Sequence, residues 1–207
     1  MQTTPGVILF DVGGVLATNG WDRAARRRAA DAFDFDWEEF GDRHEFLAHD
    51  FETGRLDLDG YLDRTLFYRD RPFSKDDFVA FMKAQSEPYP ESLAIVAELA
   101  ASERFLLATL NNESRELNEH RIEHLGLGEY FSMFLSSCYL GVSKPEPEIY
   151  RIAIDVTQHA PEECLFIDDR DLNLECATLD DPRARGVDEH RIGAHRCEVG
   201  PGDRPDR

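Results

Sequence analysis

Four short apolar runs, each followed at once by polar residues, restrict the fold of this chain more than any other feature of its sequence. The first run is VILF at 7–10, which ends at Asp11, and the others are FLLA at 105–108, MFL at 133–135 and CLFI at 164–167. Runs without polar alternation are typical of parallel strands that are buried on both faces of a sheet. Helical patterns separate the runs, at 91–101, 114–125 and 146–156. We therefore predict βαβ units in a doubly wound, parallel-sheet α/β core, with polar residues at the edge where such sheets bind ligands.

The segment 17–87 has a different pattern. It carries charged and aromatic residues at helical spacing and lacks strand signals. We therefore predict an inserted all-helical domain at 17–87, with the core formed by 1–16 and 88–207. Arginine, aspartate, glycine and proline dominate from about residue 180 onward, so we expect an irregular tail there.

The acidic composition limits the partners of the chain. It has 42 acidic and 23 basic residues and a formal net charge of -19, which repels nucleic acids and anionic membranes. No stretch approaches the roughly 20 apolar residues of a membrane helix, and no signal-like segment precedes Asp11. We therefore expect a cytoplasmic protein with a small-molecule ligand. A phosphorylated ligand would need a bound cation and nearby lysine or arginine to reverse the sign of the field.

Residues suited to phosphoryl chemistry follow the first and last apolar runs. Asp11 precedes Gly13 and Gly14, and glycines let backbone amides approach a tetrahedral anion without side-chain clash. Asp168 and Asp169 follow the last run, and carboxylate oxygens are the ligands that Mg²⁺ prefers. These two groups of residues predict a phosphate site and a magnesium site at one edge of the sheet.

Four segments resemble, in the same order, the motifs of the haloacid dehalogenase superfamily. They are FDVGGVL at 10–16, LNNE at 110–113, GVSKPEPEIY at 141–150 and LFIDDR at 165–170. The resemblance covers nearly all of 6–178, and the helical insertion lies where the C1 cap of that superfamily lies. It implies a Rossmann-like core and a magnesium-dependent hydrolase with an aspartate nucleophile.

The resemblance also implies a role for each matching residue. Asp11 would be the nucleophile, and Lys144 would pair with it and with a phosphoryl oxygen. The implied Mg²⁺ ligands are Asp11, the backbone carbonyl of Gly13, Asp168 and Asp169. The implied phosphate-binding residues are Gly14, Asn111 and Asn112.

Two positions depart from the superfamily pattern. Gly13 stands where a second aspartate protonates the leaving group, a contribution of about 10² to 10⁴ in rate. In this respect the chain resembles a sub-group that includes phosphatases of sugar 1-phosphates, whose leaving groups need less protonation. Asn111 stands where the superfamily has serine or threonine, but its amide can still donate a hydrogen bond to a phosphoryl oxygen.

Three functions follow from these patterns. The first is a Mg²⁺-dependent phosphatase of a small phosphorylated metabolite, possible substrates including a sugar 1-phosphate, through an aspartyl-phosphate on Asp11. The second is a 2-haloacid dehalogenase, which needs no metal; Asp168 and Asp169 argue against it, and the nearest arginine after the first motif is Arg23. The third is a catalytically weak binding or scaffold member of the family. Insertion residues that we expect near a substrate are Asn19, Trp21, His44 and His49.

Overall fold

Four strands form one parallel sheet in the computed structural model, which describes residues 5–179. They are β1 (Val7–Phe10), β2 (Leu106–Asn111), β3 (Met133–Ser136) and β4 (Cys164–Ile167). Their order across the sheet is β3-β2-β1-β4, and every neighbouring pair is parallel. The predicted doubly wound, parallel-sheet α/β core is confirmed.

The register of the sheet sets the position of the first and last motifs. Phe10 of β1 pairs with Ile167 of β4, so Asp11 and Asp168 leave neighbouring strands side by side at the carboxyl edge. β2 runs beyond the predicted apolar run to Asn111, because the polar residues at its end are buried within the sheet.

Four helices lie between β1 and the rest of the core, in the segment 17–87, which we call the insertion. They are α1 (Arg23–Phe33), α2 (Trp37–Glu52), α3 (Leu58–Thr65) and α4 (Lys75–Lys83). Each begins after a side chain that accepts a hydrogen bond from a backbone N–H three residues ahead, the usual N-cap arrangement. These caps are Asp22, Asp36, Asp57 and Ser74. The helices enclose an aromatic core of their own, in which the Trp21 ring meets Phe40 and Phe78 edge to face.

The remaining helices cover the two faces of the sheet. They are α5 (Pro90–Ala101), α6 (Arg115–His124), α7 (Ser137–Leu140), α8 (Pro147–Thr157) and α9 (Asp171–Leu179). Val7 and Leu9 of β1 pack with residues of α8 and α9. The alternate residues, Ile8 and Phe10, pack with Val96 of α5. β1 is therefore buried on both faces, as its apolar sequence predicts.

The two segments that connect the core to the insertion, which we call the crossings, lie against each other. Thr18 donates its backbone N–H to the carbonyl of Glu87 (2.9 Å), and its hydroxyl donates to the carbonyl of Gln85 (2.5 Å). Ala17 forms an isolated bridge with Pro88. These contacts fix where the insertion leaves and rejoins the sheet.

Two further predictions concern the tail of the chain and its helices. The irregular tail expected from about residue 180 lies outside the described residues. Within residues 5–179, the helices are too short or too polar to cross a membrane.

Candidate active site

A buried lysine joins two carboxylates at the carboxyl edge of the sheet. Lys144 comes from the loop between α7 and α8, and its Nζ lies 3.1 Å from Asp11 Oδ1 and 2.6 Å from Asp168 Oδ2. The side chains of Lys144, Asp11 and Asp168 are 1%, 12% and 0% exposed. The structure thus brings together the first, third and fourth sequence motifs, with Asp11 the most accessible of the three.

Hydrogen bonds hold the two carboxylates in place. Asp168 Oδ1 accepts from the backbone N–H of Arg170 (2.8 Å), and both of its oxygens accept from Asn173 Nδ2 at 3.0 Å. Asp11 Oδ1 accepts from the backbone N–H of Val12 (2.8 Å). The buried charges are therefore bonded as well as paired, which is what their burial requires.

Asn112 holds the backbone of the lysine. Its Nδ2 donates to the carbonyl of Lys144, and its Oδ1 accepts from the Lys144 N–H, both at 2.8 Å. Asn112 also lines the cleft above the site. The sequence predicts a phosphate contact for Asn112, and the structure adds this positioning contact, which no motif indicates.

The structure places Asn111 inside the protein, and its predicted contact with phosphate stays a prediction. Its side chain is buried, donates to Asn118 Oδ1 (3.0 Å) and accepts from Ser136 Oγ (2.8 Å). Asn111 is not among the residues that line the cleft. The reason is that β2 continues through Asn111, beside Ser136 of β3, and turns the side chain into the protein.

A third carboxylate, Asp169, completes an acidic cluster. Oxygen atoms of Asp11, Asp168 and Asp169 lie within 4.8 Å of one another. Asp169 Oδ1 is buried and has no hydrogen-bond partner among the described residues. Gly14, at φ +76°, makes room for this carboxylate, because a Cβ there would lie 2.2 Å from Asp169 Oδ2. One lysine against three carboxylates leaves an excess of negative charge that suits a divalent cation with oxygen ligands.

Burial and the charge of Asp168 raise the pKa values of Asp11 and Asp169. Burial raises the pKa of Asp11 to about 6, against the lowering effect of Lys144, and Asp168 adds to the increase. Burial, followed by the charge of Asp168, raises the pKa of Asp169. A bound cation would lower both pKa values by favouring the charged carboxylates.

A cleft of about 330 Å³ lies between this edge of the sheet and the insertion. Asp11, Gly13 and Lys144 line its base. The insertion contributes Asn19, Trp21, Asp22, Arg23, Arg26, His44, Phe51 and Glu52. Three of the four insertion residues expected near a substrate therefore face the cleft, whereas the fourth, His49, is exposed on α2 and does not line it.

Tyr61 links two of the cleft residues through its buried hydroxyl. Trp21 Nε1 donates to Tyr61 Oη (3.1 Å), and Tyr61 Oη lies 3.0 Å from His44 Nδ1. Burial, with a smaller effect of Arg26, lowers the pKa of His44 to about 4, so its imidazole is neutral at pH 7. Tyr61 Oη accepts from Trp21 and has one O–H, which can donate to Nδ1 of a neutral His44. His44 therefore contributes an uncharged polar ring to the cleft.

The lowered pKa of His44 predicts a pH-dependent stability. Between about pH 4 and 6.5 the unfolded chain binds a proton that the folded protein does not, so the free energy of unfolding falls as the pH falls through this range. We expect His44→Gln to remove on the order of 2 kcal/mol of this dependence, allowing for partial exposure of the ring. Urea unfolding at a series of pH values measures it. His49→Gln is the control on the same helix, and parallel profiles for wild type and His44→Gln would show that His44 is charged in the folded protein.

Two charged residues without a predicted role, one of them within the second motif, also face the cleft. Glu52 ends α2, and burial raises its pKa. Glu113 follows Asn112, and burial raises its pKa although Arg121 of α6 lies 3.6 Å away. These residues lie on helices and loops that look solvent-exposed in the sequence, so the sequence carries no signal for them.

The structure thus combines a parallel α/β sheet with a carboxylate-lysine cluster at its carboxyl edge. The family model for haloacid dehalogenase-like hydrolases matches residues 5–177, and the chain belongs to that family. It is an enzyme of the hydrolase class.

Curated relatives of the chain include phosphatases. It is 28% identical over 135 residues to flavin mononucleotide hydrolase 1 of Arabidopsis thaliana, an alignment that covers 65% of this chain and 54% of that protein. It is 36% identical over 81 residues to phosphoserine phosphatase of Thermus thermophilus, covering 39% of this chain and 32% of that protein. The chain thus spans little more than half of the first relative and a third of the second.

Solved structures show the same fold at low sequence identity. The magnesium complex of HAD family enzyme bt-2542 from Bacteroides thetaiotaomicron has a TM-score of 0.75 and 19% identity, with 96% of each chain covered. L-2-haloacid dehalogenase from Xanthobacter autotrophicus has a TM-score of 0.61 and 19% identity, covering 93% of this chain and 77% of that one. At these identities the likeness concerns the fold alone.

Proposed function

We propose that this hydrolase is a Mg²⁺-dependent phosphatase of a small phosphorylated metabolite and forms an aspartyl-phosphate on Asp11. The observation that carries the proposal is the position of Lys144, buried between Asp11 and Asp168 at the base of the cleft. A lysine there offsets the charge of the nucleophile and of an incoming phosphate in a very acidic protein.

The acidic cluster supports a magnesium site. Asp11, Asp168, Asp169 and the backbone carbonyl of Gly13 would hold the ion, and the buried, unpartnered Asp169 Oδ1 is an oxygen in need of one. When bound, Mg²⁺ neutralises phosphoryl oxygens and lets an anionic nucleophile approach phosphorus. The chain's own residues orient the phosphate: the remaining N–H of Asn112 can donate to its oxygens, whereas the backbone N–H of Gly14 already donates to the carbonyl of Ala17 (2.7 Å).

The cleft and the relatives support a small phosphorylated substrate. A volume of about 330 Å³ lies at the lower end of the range for small-molecule sites. The relatives named above act, by name, on flavin mononucleotide and phosphoserine. The absence of an acid at Gly13 favours a substrate with an acidic leaving oxygen, such as the anomeric oxygen of a sugar 1-phosphate.

A 2-haloacid dehalogenase is the second candidate, and one observation favours it. Arg23 and Arg26 of α1 line the same cleft as Asp11, and guanidinium groups suit a carboxylate substrate. A panel of phosphate esters and 2-haloacids, each with and without Mg²⁺, separates the two functions. Metal-dependent phosphate release supports the proposal, metal-independent halide release supports the dehalogenase, and no turnover of either class points to a binding role.

We expect Mg²⁺ to stabilise the folded protein through Asp169. At a hundred times its dissociation constant, the ion should raise the free energy of unfolding by about 2.7 kcal/mol and the melting temperature by several degrees. Asp169→Asn should lose most of this increase, whereas Asp171→Asn, an exposed residue of α9, should keep it. Thermal unfolding with MgCl₂ or EDTA is the measurement, and an equal increase in all three proteins would place the ion elsewhere.

A further inference from the structure

Arg121 of α6 is a buried guanidinium that reaches from the core to both crossings of the insertion. The residue is 2% exposed. Its Nε donates to Ser86 Oγ (3.1 Å), and its Nη2 donates to the carbonyl of Thr18 (2.5 Å). Its carboxylate neighbour is Glu113, at 3.6 Å. These contacts fix the plane and direction of the guanidinium.

The third nitrogen, Nη1, has no hydrogen-bond partner among the described residues. Because Arg121 lines the cleft and its Nη1 is not engaged by a described residue, the N–H groups of Nη1 can donate to an acceptor on a bound ligand. The guanidinium is therefore held by Ser86, Thr18 and Glu113 on its Nε and Nη2 side, and Nη1 remains for an acceptor on a ligand.

The space next to this nitrogen is the space of the missing aspartate. A Cβ at Gly13 would lie 3.4 Å from Arg121 Nη1 and 3.0 Å from Asn19 Oδ1. The chain also bends around the guanidinium at Gly20, at φ +62°, where a Cβ would lie 2.4 Å from Nη2. Beside the nucleophile, the protein therefore offers a permanent positive charge where the superfamily pattern has an acid.

We propose that Arg121 binds the oxygen that leaves phosphorus and stabilises it as an anion. This inference rests on the proposed phosphatase function and specifies its substrate class. Asp11 forms a bond to phosphorus, the bond from phosphorus to the leaving oxygen breaks, and its electron pair stays on that oxygen. The oxygen then departs unprotonated, with its negative charge held by the N–H groups of Nη1. No proton is transferred in this step, because a guanidinium does not release one near neutral pH.

The substrate class follows because the leaving oxygen is stabilised by a positive charge and is not protonated. A guanidinium stabilises an anion but cannot neutralise it, so the leaving oxygen must be acidic enough to depart without a proton. Acyl phosphates and phosphoanhydrides meet this condition, whereas phosphate esters of simple alcohols do not. The anomeric oxygen of a sugar 1-phosphate is more acidic than a simple alcohol but much less acidic than a carboxylic acid, so Arg121 favours an acyl phosphate or a phosphoanhydride over the sugar 1-phosphate considered above.

A series of substituted phenyl phosphates, with acetyl phosphate as the acyl phosphate, tests the inference in the presence of Mg²⁺. Loss of the guanidinium should cost most where the leaving oxygen is most basic, because that oxygen carries the most charge. We expect Arg121→Lys to lose about tenfold in kcat/KM for the most acidic phenol and about 10² to 10³ for the most basic. The dependence of rate on the pKa of the leaving group becomes steeper. Added guanidinium ion should partly restore Arg121→Ala.

Two further variants separate this role from a structural one. Ser86→Ala removes one anchor and keeps the guanidinium, so any loss should be the same for every leaving group. Gly13→Ala leaves Arg121 in place but puts a methyl group against Nη1, so it should steepen the dependence even if Arg121 variants fold poorly. Melting temperatures of all variants check folding.

The outcomes distinguish a wrong role for Arg121 from a wrong phosphatase function. Turnover by wild type with a uniform loss across the series in Arg121→Lys and Gly13→Ala overturns the role of Arg121 and leaves the phosphatase proposal intact. Failure of wild type to release phosphate from any member of the series, acetyl phosphate included, overturns the phosphatase proposal itself.

Discussion

The Asp11→Asn protein should fold normally and lose turnover by more than about a thousandfold, as is usual when a nucleophile is removed. The amide has nearly the shape of the carboxylate and can still accept the hydrogen bond from the N–H of Val12. It is a much poorer nucleophile. The substitution removes the ion pair between residue 11 and Lys144, but it also removes a carboxylate whose pKa is raised by burial. The free energy of unfolding should therefore change little.

The measurement is phosphate release with Mg²⁺ by protein whose substitution is verified against deamidation by mass spectrometry. Asp22→Asn is the matched control: this residue also lines the cleft, and asparagine caps a helix as well as aspartate does, so α1 should be preserved. Near-wild-type turnover by the Asp11→Asn protein would show that Asp11 is not the nucleophile.

The sequence predicts the core because its strands are buried on both faces. β1 and β4 begin and end where their apolar runs do, since every residue of such a strand contacts other protein groups. β2 is predicted too short because its last residue is polar. Asn111 is buried all the same, as its amide bonds to Asn118 and Ser136. A polar residue inside a sheet can be predicted only when its hydrogen-bond partners are known.

The sequence also places the acidic cluster, but not what surrounds it. Asp11 and Asp168 follow neighbouring parallel strands, so the order of the motifs is enough to predict that they meet. Arg121 reaches the cleft from the interior of a helix, and Tyr61 acts from the core of the insertion. Neither lies in a motif, and both depend on how the insertion packs against the sheet. Tertiary contacts of this kind carry no local signal.

The Lys144→Met protein should lose both activity and stability. The methionine side chain fills much of the space of the lysine side chain. It carries no charge, so Asp11 and Asp168 are left as buried carboxylates without a counter-charge. Removal of one partner from a buried ion pair costs about 3 to 5 kcal/mol, and we expect a loss near that range in metal-free protein. Turnover should fall by about 10² to 10³, the effect of removing one electrostatic contact from a transition state.

A surface lysine of the same chain provides the matched control. Lys75 Nζ lies 2.5 Å from Asp59 and 2.7 Å from Asp63, but its side chain is 30% exposed and the aspartates are 70% and 55% exposed. Lys75→Met has the same chemistry in a solvated setting, where an ion pair contributes about 0 to 1 kcal/mol. The difference between the two variants, from urea unfolding with EDTA, measures what burial adds.

A double-mutant cycle then tests whether uncompensated charge is the cause. If it is, Asp168→Asn should cost stability alone but regain part of it in the Lys144→Met background, because the second substitution removes a buried charge that the first left unpaired. The loss in the double variant should therefore be smaller than the sum of the single losses by more than about 1 kcal/mol. Additive losses would mean that Lys144 stabilises the fold by packing, and that the contacts of its Nζ with Asp11 and Asp168 contribute little. A gain in the double variant, together with loss of turnover in each single one, would show that the fold tolerates a neutral site and that this ion pair is kept for its chemistry.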